Sequence, residues 1–203
     1  MTSERNPGFL REFLRQPGIV GAIAASSRFL ASEMVEGFDW DRIATVVEYG
    51  PGTGSFTGHV LRRMSAEARY VAIEINPRFA ARFRTDHPGV PLYEASAADV
   101  EQVCRSEGIT RIDAIVCGLP WASFPADLQT AILDATMTML APGGQFGTFA
   151  YLQGLLLPGG MRLRRLLRSR FAAVSTSRIV WRNLPPAFIY RCRHADDEGS
   201  AKK

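Results

Sequence analysis

The strongest fold signal in the chain is Thr45-Val46-Val47-Glu48-Tyr49-Gly50-Pro51-Gly52-Thr53-Gly54-Ser55-Phe56. A β-branched run ends in an acid, and three glycines follow at alternate positions, which predicts a buried strand, a tight turn and a helix start. Glycine suits such a turn because the backbone can approach a ligand with no Cβ in the way. A second acid, Glu74, ends the next apolar run, where a carboxylate suits the hydroxyls of a ribose. Together these features predict a site for a cofactor that contains adenosine.

Strand-like and helix-like segments alternate along the rest of the chain, with short connections between them. This pattern predicts an α/β fold, a Rossmann-like sheet of seven mostly parallel strands with helices on both faces. The linker Arg182-Asn183-Leu184-Pro185-Pro186 is too short for a crossover helix, so the final strand should run antiparallel. We expect strands near 44–49, 69–75, 90–94, 112–117, 145–151, 173–182 and 187–193, and helices near 55–66, 77–86, 98–107, 125–140 and 160–170.

Three parts follow from this pattern and from composition. Residues 1–37 are expected to form an amphipathic helical segment, 38–195 a single catalytic domain, and 196–203 a polar disordered tail. A helical face that is apolar in this way either packs on its own domain or lies in a membrane interface. The residues that share such a face in the N-terminal segment are Phe9, Leu10, Phe13 and Leu14.

Charge is distributed unevenly along the chain. From Met1 to Asp134, acidic residues outnumber basic ones by 17 to 13, whereas the stretch from Ala135 to Ala195 holds nine arginines and no acid. A cationic region of this kind attracts phosphate groups, either of nucleic acid or of an anionic membrane surface. A few solvated arginines would be the plainer interpretation.

The cysteines and the apolar runs limit the class of protein. Cys104, Cys117 and Cys192 are far apart and form neither a zinc spacing nor a disulfide framework, so we expect no metal and a reducing cytoplasm. The polar start of the chain does not resemble a cleavable signal, and no apolar run reaches the roughly 20 residues of a membrane span. We expect a monomer.

Glycine-rich turns of this type also serve nicotinamide cofactors, so the turn alone does not identify the ligand. Glu48, directly before the glycines, would repel a pyrophosphate, but it would favour the ammonium and sulfonium of S-adenosylmethionine. The predicted fourth strand ends in Val116-Cys117-Gly118-Leu119-Pro120-Trp121, and its tip belongs to the ligand crevice of an open α/β sheet. An aromatic residue there is well placed to line a methyl-acceptor pocket.

The run Glu48-Tyr49-Gly50-Pro51-Gly52-Thr53-Gly54 resembles that of the class I S-adenosylmethionine-dependent methyltransferases, and the resemblance covers nearly the whole chain. Within them, the chain departs from the rRNA adenine N6-dimethylases, which carry Asn-Leu-Pro-Tyr where this chain has Gly118-Leu119-Pro120-Trp121. It has Ala95-Ser96-Ala97 where they carry Gly-Asp-Ala, and it ends before their C-terminal helical domain. RNA methylation therefore remains the second hypothesis.

The chain is more similar to the bacterial phospholipid N-methyltransferases, which methylate phosphatidylethanolamine toward phosphatidylcholine. Four stretches carry this resemblance: Ala25-Ser26-Ser27-Arg28, residues 118–125, Tyr151-Leu152-Gln153-Gly154, and residues 180–188. It implies a phospholipid substrate, an anionic membrane surface rather than nucleic acid as partner, and membrane binding through the N-terminal helix. A cytoplasmic enzyme at the inner face of the cell membrane is then expected. A binding module with a vestigial cofactor site is the non-enzymatic alternative.

The resemblance and the strand-tip positions together give a set of candidate residues. Glu48 would favour the cofactor ammonium, Glu74 would bind both ribose hydroxyls, and Ile75 would pack on the adenine. Trp121 and Tyr151 would form a wall for the amine, since aromatic faces favour ammonium groups, although core packing would also explain either ring. The expected cofactor set is Glu48, Tyr49, Gly50, Gly52, Gly54, Glu74, Ile75, Ser96, Ala97 and Cys117; the catalytic set is Gly118, Leu119, Pro120, Trp121 and Tyr151; and the substrate-binding set is Ser26, Arg28 and Arg182, with the arginines as candidate phosphate contacts.

Overall fold

The computed structural model describes residues 26–196, which form a three-layer α/β fold around one sheet. The strands are β1 (Thr45–Tyr49), β2 (Arg69–Ile73), β3 (Leu92–Tyr93), β4 (Ile112–Cys117), β5 (Leu140–Tyr151), β6 (Ala173–Thr176) and β7 (Ala187–Arg193). The α-helices are α1 (Arg28–Val35), α2 (Thr57–Arg63), α3 (Pro77–Asp86), α4 (Val100–Ser106), α5 (Ala126–Met139) and α6 (Pro158–Arg170). Short 3₁₀ turns occupy Trp40–Arg42, Ala97–Asp99, Trp121–Ser123 and Leu152–Leu156.

The sheet has the order β3-β2-β1-β4-β5-β7-β6. Strands β1 to β5 pair in parallel, and β7 runs antiparallel to both of its neighbours. The predicted fold and its antiparallel final strand are therefore confirmed. Because β1 lies between β2 and β4, the segments that follow these three strands meet at one edge of the sheet, as the open α/β pattern requires.

Both faces of the central strands are buried. Alternate residues of β1 enter opposite cores, so that Val47 and Tyr49 pack with α4 and α5, whereas Val46 packs with α1 and α2. The same alternation in β4 places Ile115 in the first core and Val116 in the second. A strand that is covered on both faces must be apolar almost throughout, which is why the buried acid at position 48 is unusual.

Two strand boundaries differ from the sequence prediction by five residues or more. Strand β5 begins at Leu140 rather than 145, because Leu140 already pairs with Ile112 before the register shifts and pairing resumes between Gln145 and Ala114. Gly143 allows this irregular passage with φ +67°. Strand β6 ends at Thr176 rather than 182, because the Ser177 hydroxyl accepts the Ile189 N–H at 2.9 Å and so replaces a ladder carbonyl.

Helix α1 belongs to the domain core. Leu30 and Met34 are fully buried against the sheet, so the described part of the predicted N-terminal segment is not a separate unit. The buried Glu33 carboxylate also binds the edge of the sheet, with Arg178 at 2.9 Å and Arg191 at 2.8 Å. Phe9, Leu10, Phe13 and Leu14, and the predicted tail from 197 onward, lie outside the described residues. Between 26 and 196, no helix is long and apolar enough to span a membrane.

Candidate functional site

The glycine turn after β1 has the geometry that the sequence predicted. Gly50, Gly52 and Gly54 have φ values of 62°, 58° and 80°, a region that side chains disfavour. The turn also lies directly against the tip of β4, where the Gly118 N–H donates to the Tyr49 carbonyl at 2.8 Å. A Cβ built on Gly118 would lie 2.6 Å from the Gly50 oxygen, so this contact requires glycine at position 118.

A cleft of about 480 Å³ opens beside this contact, at the carboxyl ends of β1, β2 and β4. The predicted cofactor residues Ile75, Ser96 and Ala97 all line it. Ser96 is held in place because its hydroxyl accepts the Ala98 N–H at 3.1 Å and starts a 3₁₀ turn. We refer to it as the cofactor cleft; its lining residues are Gly50, Ile73, Glu74, Ile75, Ala95, Ser96, Ala97, Gly118, Leu119, Pro120, Phe124 and Ile132.

Glu74 joins the second strand tip to the glycine turn. One carboxylate oxygen accepts the Gly52 N–H at 3.1 Å, and the other accepts the Asn76 N–H at 2.8 Å. Burial raises the pKa of Glu74, while these backbone donors act in the opposite direction by favouring its charged form. Each oxygen keeps a second acceptor position, so the side chain can hold the turn and still receive hydroxyl groups of a ligand.

Glu48 is a fully buried acid whose two oxygens differ. One oxygen accepts hydrogen bonds from the hydroxyls of Thr57, at 3.0 Å, and Tyr70. The other oxygen is buried and has no hydrogen-bond partner among the described atoms. Burial raises the pKa of Glu48 from 4.5 to about 7, although the two hydroxyl donors lower it in part. An orphaned carboxylate oxygen directly before a ligand-binding turn fits a cofactor that carries an ammonium group.

Two predicted cofactor residues are corrected by the structure. Tyr49 and Cys117 are register partners on β1 and β4, and both side chains lie in the core rather than in the cleft. The Tyr49 hydroxyl accepts a hydrogen bond from Thr136 of α5 at 3.3 Å, and burial raises its pKa. Burial likewise raises the pKa of the Cys117 thiol to about 12. Both residues belong to the same core as the cleft residues Ile73 and Leu119, so complete burial, and not the side of the strand, removes them from the cleft lining.

A second cleft, of about 500 Å³, lies at the end of β5 and shares Leu119 and Pro120 with the first. These two residues therefore lie between the two clefts and line both of them. The second cleft is almost wholly apolar and aromatic, and we refer to it as the acceptor cleft. It is lined by Leu119, Pro120, Trp121, Ala122, Ser123, Phe149, Ala150, Tyr151, Gly154, Leu155, Gly160, Leu163 and Tyr190.

The two aromatic residues predicted for the amine wall differ in their surroundings. Trp121 borders the acceptor cleft but is almost completely buried, with its indole N–H donating to Thr148 at 2.9 Å and its ring against Phe146. Tyr151 is half-buried in the cleft, packs edge-on against Phe149, and has a pKa that burial raises. Trp121 thus also serves as core, whereas Tyr151 presents more of its surface to a ligand.

Gln129 is a residue that the sequence pattern did not reveal. Its amide nitrogen lies within hydrogen-bond distance of the carbonyls of Trp121 (2.7 Å), Phe124 (3.3 Å) and Gly159 (3.2 Å). It thereby links α5 to the segment Trp121 to Phe124 and to the start of α6. The sequence did contain one signal for it: Gln129 is a polar residue on the same face of the predicted helix as Ile132 and Leu133.

The predicted phosphate-binding arginines come together across 154 positions of sequence. The guanidinium groups of Arg28 and Arg182 lie 4.9 Å and 4.8 Å from the centroid of the Phe29 ring. Buried Asn183 fixes this arrangement, since its side chain accepts the Ser27 N–H at 2.9 Å and donates to the Pro185 carbonyl at 2.7 Å. Asn183 was not among the predicted site residues, and Ser26 is half-buried beside this cluster.

The cysteines and other metal-ligating side chains form no site in the described chain. Cys104, Cys117 and Cys192 are buried free thiols, and burial raises the pKa of Cys104 to about 11 and that of Cys192 to about 12. Between residues 26 and 196, no group of three or more His, Cys, Asp or Glu side chains is arranged to hold a metal ion.

Comparisons with known proteins extend this picture. A methyltransferase-domain family matches residues 46–144. An ornithine lipid N-methyltransferase from Singulisphaera acidiphila is 31% identical over 188 residues, which cover 91% of this chain and 94% of the relative. A probable dimethyladenosine transferase from Caenorhabditis elegans is 29% identical over 131 residues, 64% of this chain but only 38% of that protein.

The fold comparison agrees with the sheet topology. The O-methyltransferase TomG from Streptomyces achromogenes, whose structure contains S-adenosylmethionine, aligns over 96% of this chain and 92% of that one. The TM-score is 0.62 at 16% identity, which shows a shared fold. The match over 91% of this chain to the Singulisphaera enzyme agrees with the methyltransferase-domain family and with a cleft lined by Gly50, Glu74 and Gly118. This chain therefore belongs to the class I S-adenosylmethionine-dependent methyltransferases.

Proposed function

We propose that the chain methylates the amine of a membrane lipid, with phosphatidylethanolamine and its mono- and dimethyl derivatives as acceptors on the way to phosphatidylcholine. The observation that carries this proposal is the full-length match to a lipid N-methyltransferase. The acceptor cleft supports it, because an apolar and aromatic space suits a headgroup amine and its added methyl groups. The proposed setting is the inner face of the cell membrane, with the enzyme in peripheral contact.

The cofactor cleft holds the residues that would receive S-adenosylmethionine. In the cleft, Glu74 matches the ribose and Ile75 matches the adenine. Glu48 is not among the lining residues, but its buried oxygen without a partner, directly before the glycine turn, is the proposed partner of the ammonium of the methionine portion. When bound, S-adenosylmethionine supplies an electrophilic methyl carbon on a sulfonium. Leu119 and Pro120, which line both clefts, then separate the amine from the cofactor cleft by a single layer of residues.

The acceptor amine must lose its proton before it can attack a methyl carbon. As far as residues 26–196 form it, the acceptor cleft is lined by no carboxylate and no histidine that could take this proton. Desolvation in an apolar space lowers the pKa of an amine and favours its neutral form. We propose that the amine gives its proton to bulk water at the mouth of the cleft, because the apolar cleft favours the neutral form, and that Tyr151 and Trp121 then orient the neutral amine.

An anionic group near the amine would give the lipid its second anchor. Arg28 and Arg182 are both exposed and share the Phe29 ring, and guanidinium forks bind phosphodiesters well. Phosphatidylethanolamine carries its phosphodiester two carbons from the amine. These arginines are the proposed contacts for that group.

Two other acceptors compete with phosphatidylethanolamine. The Singulisphaera relative bears the name of an ornithine lipid enzyme, and an ornithine lipid also offers a primary amine on an aliphatic chain. An RNA adenine is the other candidate, on the partial similarity to dimethyladenosine transferases. Against RNA stands Gly118, which lacks the asparagine amide of that family and leaves no room for a Cβ.

A labelling experiment distinguishes the three acceptors. The full-length protein is incubated with methyl-labelled S-adenosylmethionine and either phosphatidylethanolamine vesicles, ornithine lipid vesicles or unmethylated ribosomal RNA. We expect label in phosphatidylethanolamine, none in RNA, and none anywhere with a Glu74→Ala variant. Label confined to ornithine lipid would change the substrate, and absence of labelled lipid under conditions where calorimetry shows cofactor binding would refute the proposal.

A further inference from the structure

The exposed hydrophobic side chains of the described domain are concentrated around one opening. Seven large hydrophobic residues between 26 and 196 are exposed, and six of them fall between Leu156 and Leu184. Leu184 is 90% exposed, Leu156 84% and Trp181 68%. Side chains of this size are rarely left in water as a group unless the surface binds something.

Both segments that carry these residues adjoin the acceptor cleft. Leu156 and Leu157 directly follow the cleft residue Leu155, and Met161 directly follows the cleft residue Gly160. On the other segment, the loop from Trp181 to Pro186 is attached to the end of β5. The Leu152 N–H donates to the Pro186 carbonyl at 3.0 Å, and the cleft residue Tyr151 pairs with Ala187. We call Leu156, Leu157, Met161, Trp181 and Leu184 the apolar rim.

The charges beside the apolar rim indicate what covers it. Arg182 lies inside the loop and Arg28 shares its aromatic partner Phe29, while Arg162 and Arg165 follow Met161 on α6. No acidic residue occurs from Ala135 to Ala195, so the two segments that carry the rim contribute cations and no anions to this surface. Tryptophan, leucine and arginine in this combination match a bilayer interface, with apolar groups among the acyl chains and guanidinium groups at the phosphates.

The point where the described chain begins supports the same partner. Twenty-five residues precede Ser26, and the chain enters the domain beside the rim loop, where Ser27 donates to Asn183 at 2.9 Å. The described chain therefore begins at the same surface as the rim loop.

We propose that the apolar rim docks on an anionic bilayer, so that the acceptor cleft opens directly onto the lipid surface. The inference rests on the proposed function, because a lipid acceptor gives the cleft a reason to face a membrane. It goes further by assigning membrane contact to the catalytic domain itself, at the mouth of the acceptor cleft. A lipid headgroup could then enter without leaving the bilayer completely.

Tryptophan emission tests this docking directly. The signal of Trp181 is obtained as the difference between wild type and a Trp181→Phe variant, with vesicles of phosphatidylglycerol that contain no amine lipid. We expect this signal to shift to the blue and to be quenched by lipids brominated in the acyl chains, while the emission of Trp40 and Trp121 stays constant. Unquenched Trp181 on saturating vesicles, or absence of vesicle binding, would overturn the proposal.

Affinity measurements give the contribution of the rim. We expect Trp181→Ser combined with Leu184→Ser to weaken vesicle binding about tenfold, since two large apolar groups are removed from the interface. Leu61→Ser, at an exposed leucine on α2 away from the rim, is the matched control and should leave binding unchanged. Equal vesicle affinity of the double variant and wild type would exclude a docking role for the loop.

Two further measurements separate the remaining explanations. If the N-terminal residues or a second copy of the chain covered the rim, Trp181 in the free protein would already resist acrylamide quenching, and sedimentation would reveal the dimer; either result contradicts the proposal. Methyl transfer to detergent-dispersed phosphatidylethanolamine tests the function without a bilayer. If the double variant still methylates dispersed lipid but no longer binds vesicles, both proposals are supported. If the wild-type protein binds vesicles but methylates no lipid, only the proposed function is refuted.

Discussion

The two clefts differ in the chemistry of the residues that line them. The cofactor cleft is lined by one buried carboxylate, Glu74, which hydrogen bonds fix against the glycine turn. The acceptor cleft is lined by aromatic and aliphatic side chains, most of them from the stretch Ala135 to Ala195, which carries arginines and no acid. A cationic cofactor is thus met by fixed negative groups, whereas an amine that must become neutral is met by a dry surface. The four predictions below test this contrast.

The largest effect is expected at Glu48. The rise in its pKa from 4.5 to about 7 corresponds to about 3 kcal/mol at most. The folded chain then binds more protons than the unfolded chain between these values, so the free energy of unfolding falls as pH rises from about 4.5 to about 7 and stays lower above. Glu48→Gln removes the buried charge and should stabilise the cofactor-free protein by up to about 3 kcal/mol at pH 8, with little change near pH 4.5.

Urea denaturation across this pH range measures the Glu48 effect, with Glu67→Gln at an exposed acid as the control. Calorimetry should show that cofactor affinity of wild type rises between pH 5.5 and 7.5, because the ammonium favours ionised Glu48. The Glu48→Gln substitution should abolish this rise, since the amide does not ionise. If the free energy of unfolding depended on pH in the same way in wild type and in Glu48→Gln, the proton that is bound on folding would belong to another group.

Gln129 tests whether the acceptor side depends on buried polar groups as well. Gln129→Leu keeps the approximate volume but removes the side-chain donor that the carbonyls of Trp121, Phe124 and Gly159 share, and Trp121 then keeps only the Phe124 N–H. We expect a loss of about 2 to 3 kcal/mol in the free energy of unfolding. Denaturation of Gln102→Leu, an exposed position on α4, should differ from wild type by less than about 0.5 kcal/mol. An unchanged free energy of unfolding in Gln129→Leu would show that packing alone holds the segment Trp121 to Phe124 in place.

Gly118 tests the contact between the two clefts. Gly118→Asn introduces the dimethylase residue, but its Cβ would meet the Gly50 oxygen at 2.6 Å. We expect a loss of stability of about 2 kcal/mol and weaker cofactor binding, without any gain of adenine methylation. Gly108→Asn is the control, since no atom lies within 4 Å of a Cβ there and asparagine tolerates its φ of 66°. New activity on RNA in the Gly118→Asn variant would reverse the assignment of the acceptor.

The smallest effect is expected at Tyr151. Removing its ring with Tyr151→Ala should raise the KM for the lipid amine about fivefold, the scale of an aromatic–ammonium contact of about 1 kcal/mol. Tyr151→Phe keeps the ring and should retain most of the affinity, and cofactor binding should be unchanged in both variants. Steady-state kinetics with detergent-dispersed lipid provides the measurement. A kcat loss in Tyr151→Phe with constant KM would instead assign a proton-transfer role to the hydroxyl.

Sequence reasoning was most successful where function depends on local chemistry. The positive φ values at Gly50, Gly52 and Gly54 follow from residue type, because glycine at those positions permits a turn that other residues disfavour. It failed for Tyr49 and Cys117, because being next to a functional residue does not indicate how deeply a side chain is buried in the core. It missed Gln129, because its hydrogen-bond partners are separated from it in the chain by up to 30 residues.

The sequence by itself determined the order of strands and helices, the position of the ligand-binding turn and the uneven charge. These are properties of short stretches, in which residue type and periodicity act locally. Only the tertiary structure decided that Gly118 closes on Gly50, that Glu48 keeps one oxygen without a partner, and that Arg28 meets Arg182. The two clefts and the apolar rim exist because parallel strands bring distant loops to one edge of the sheet, a juxtaposition that no local pattern encodes.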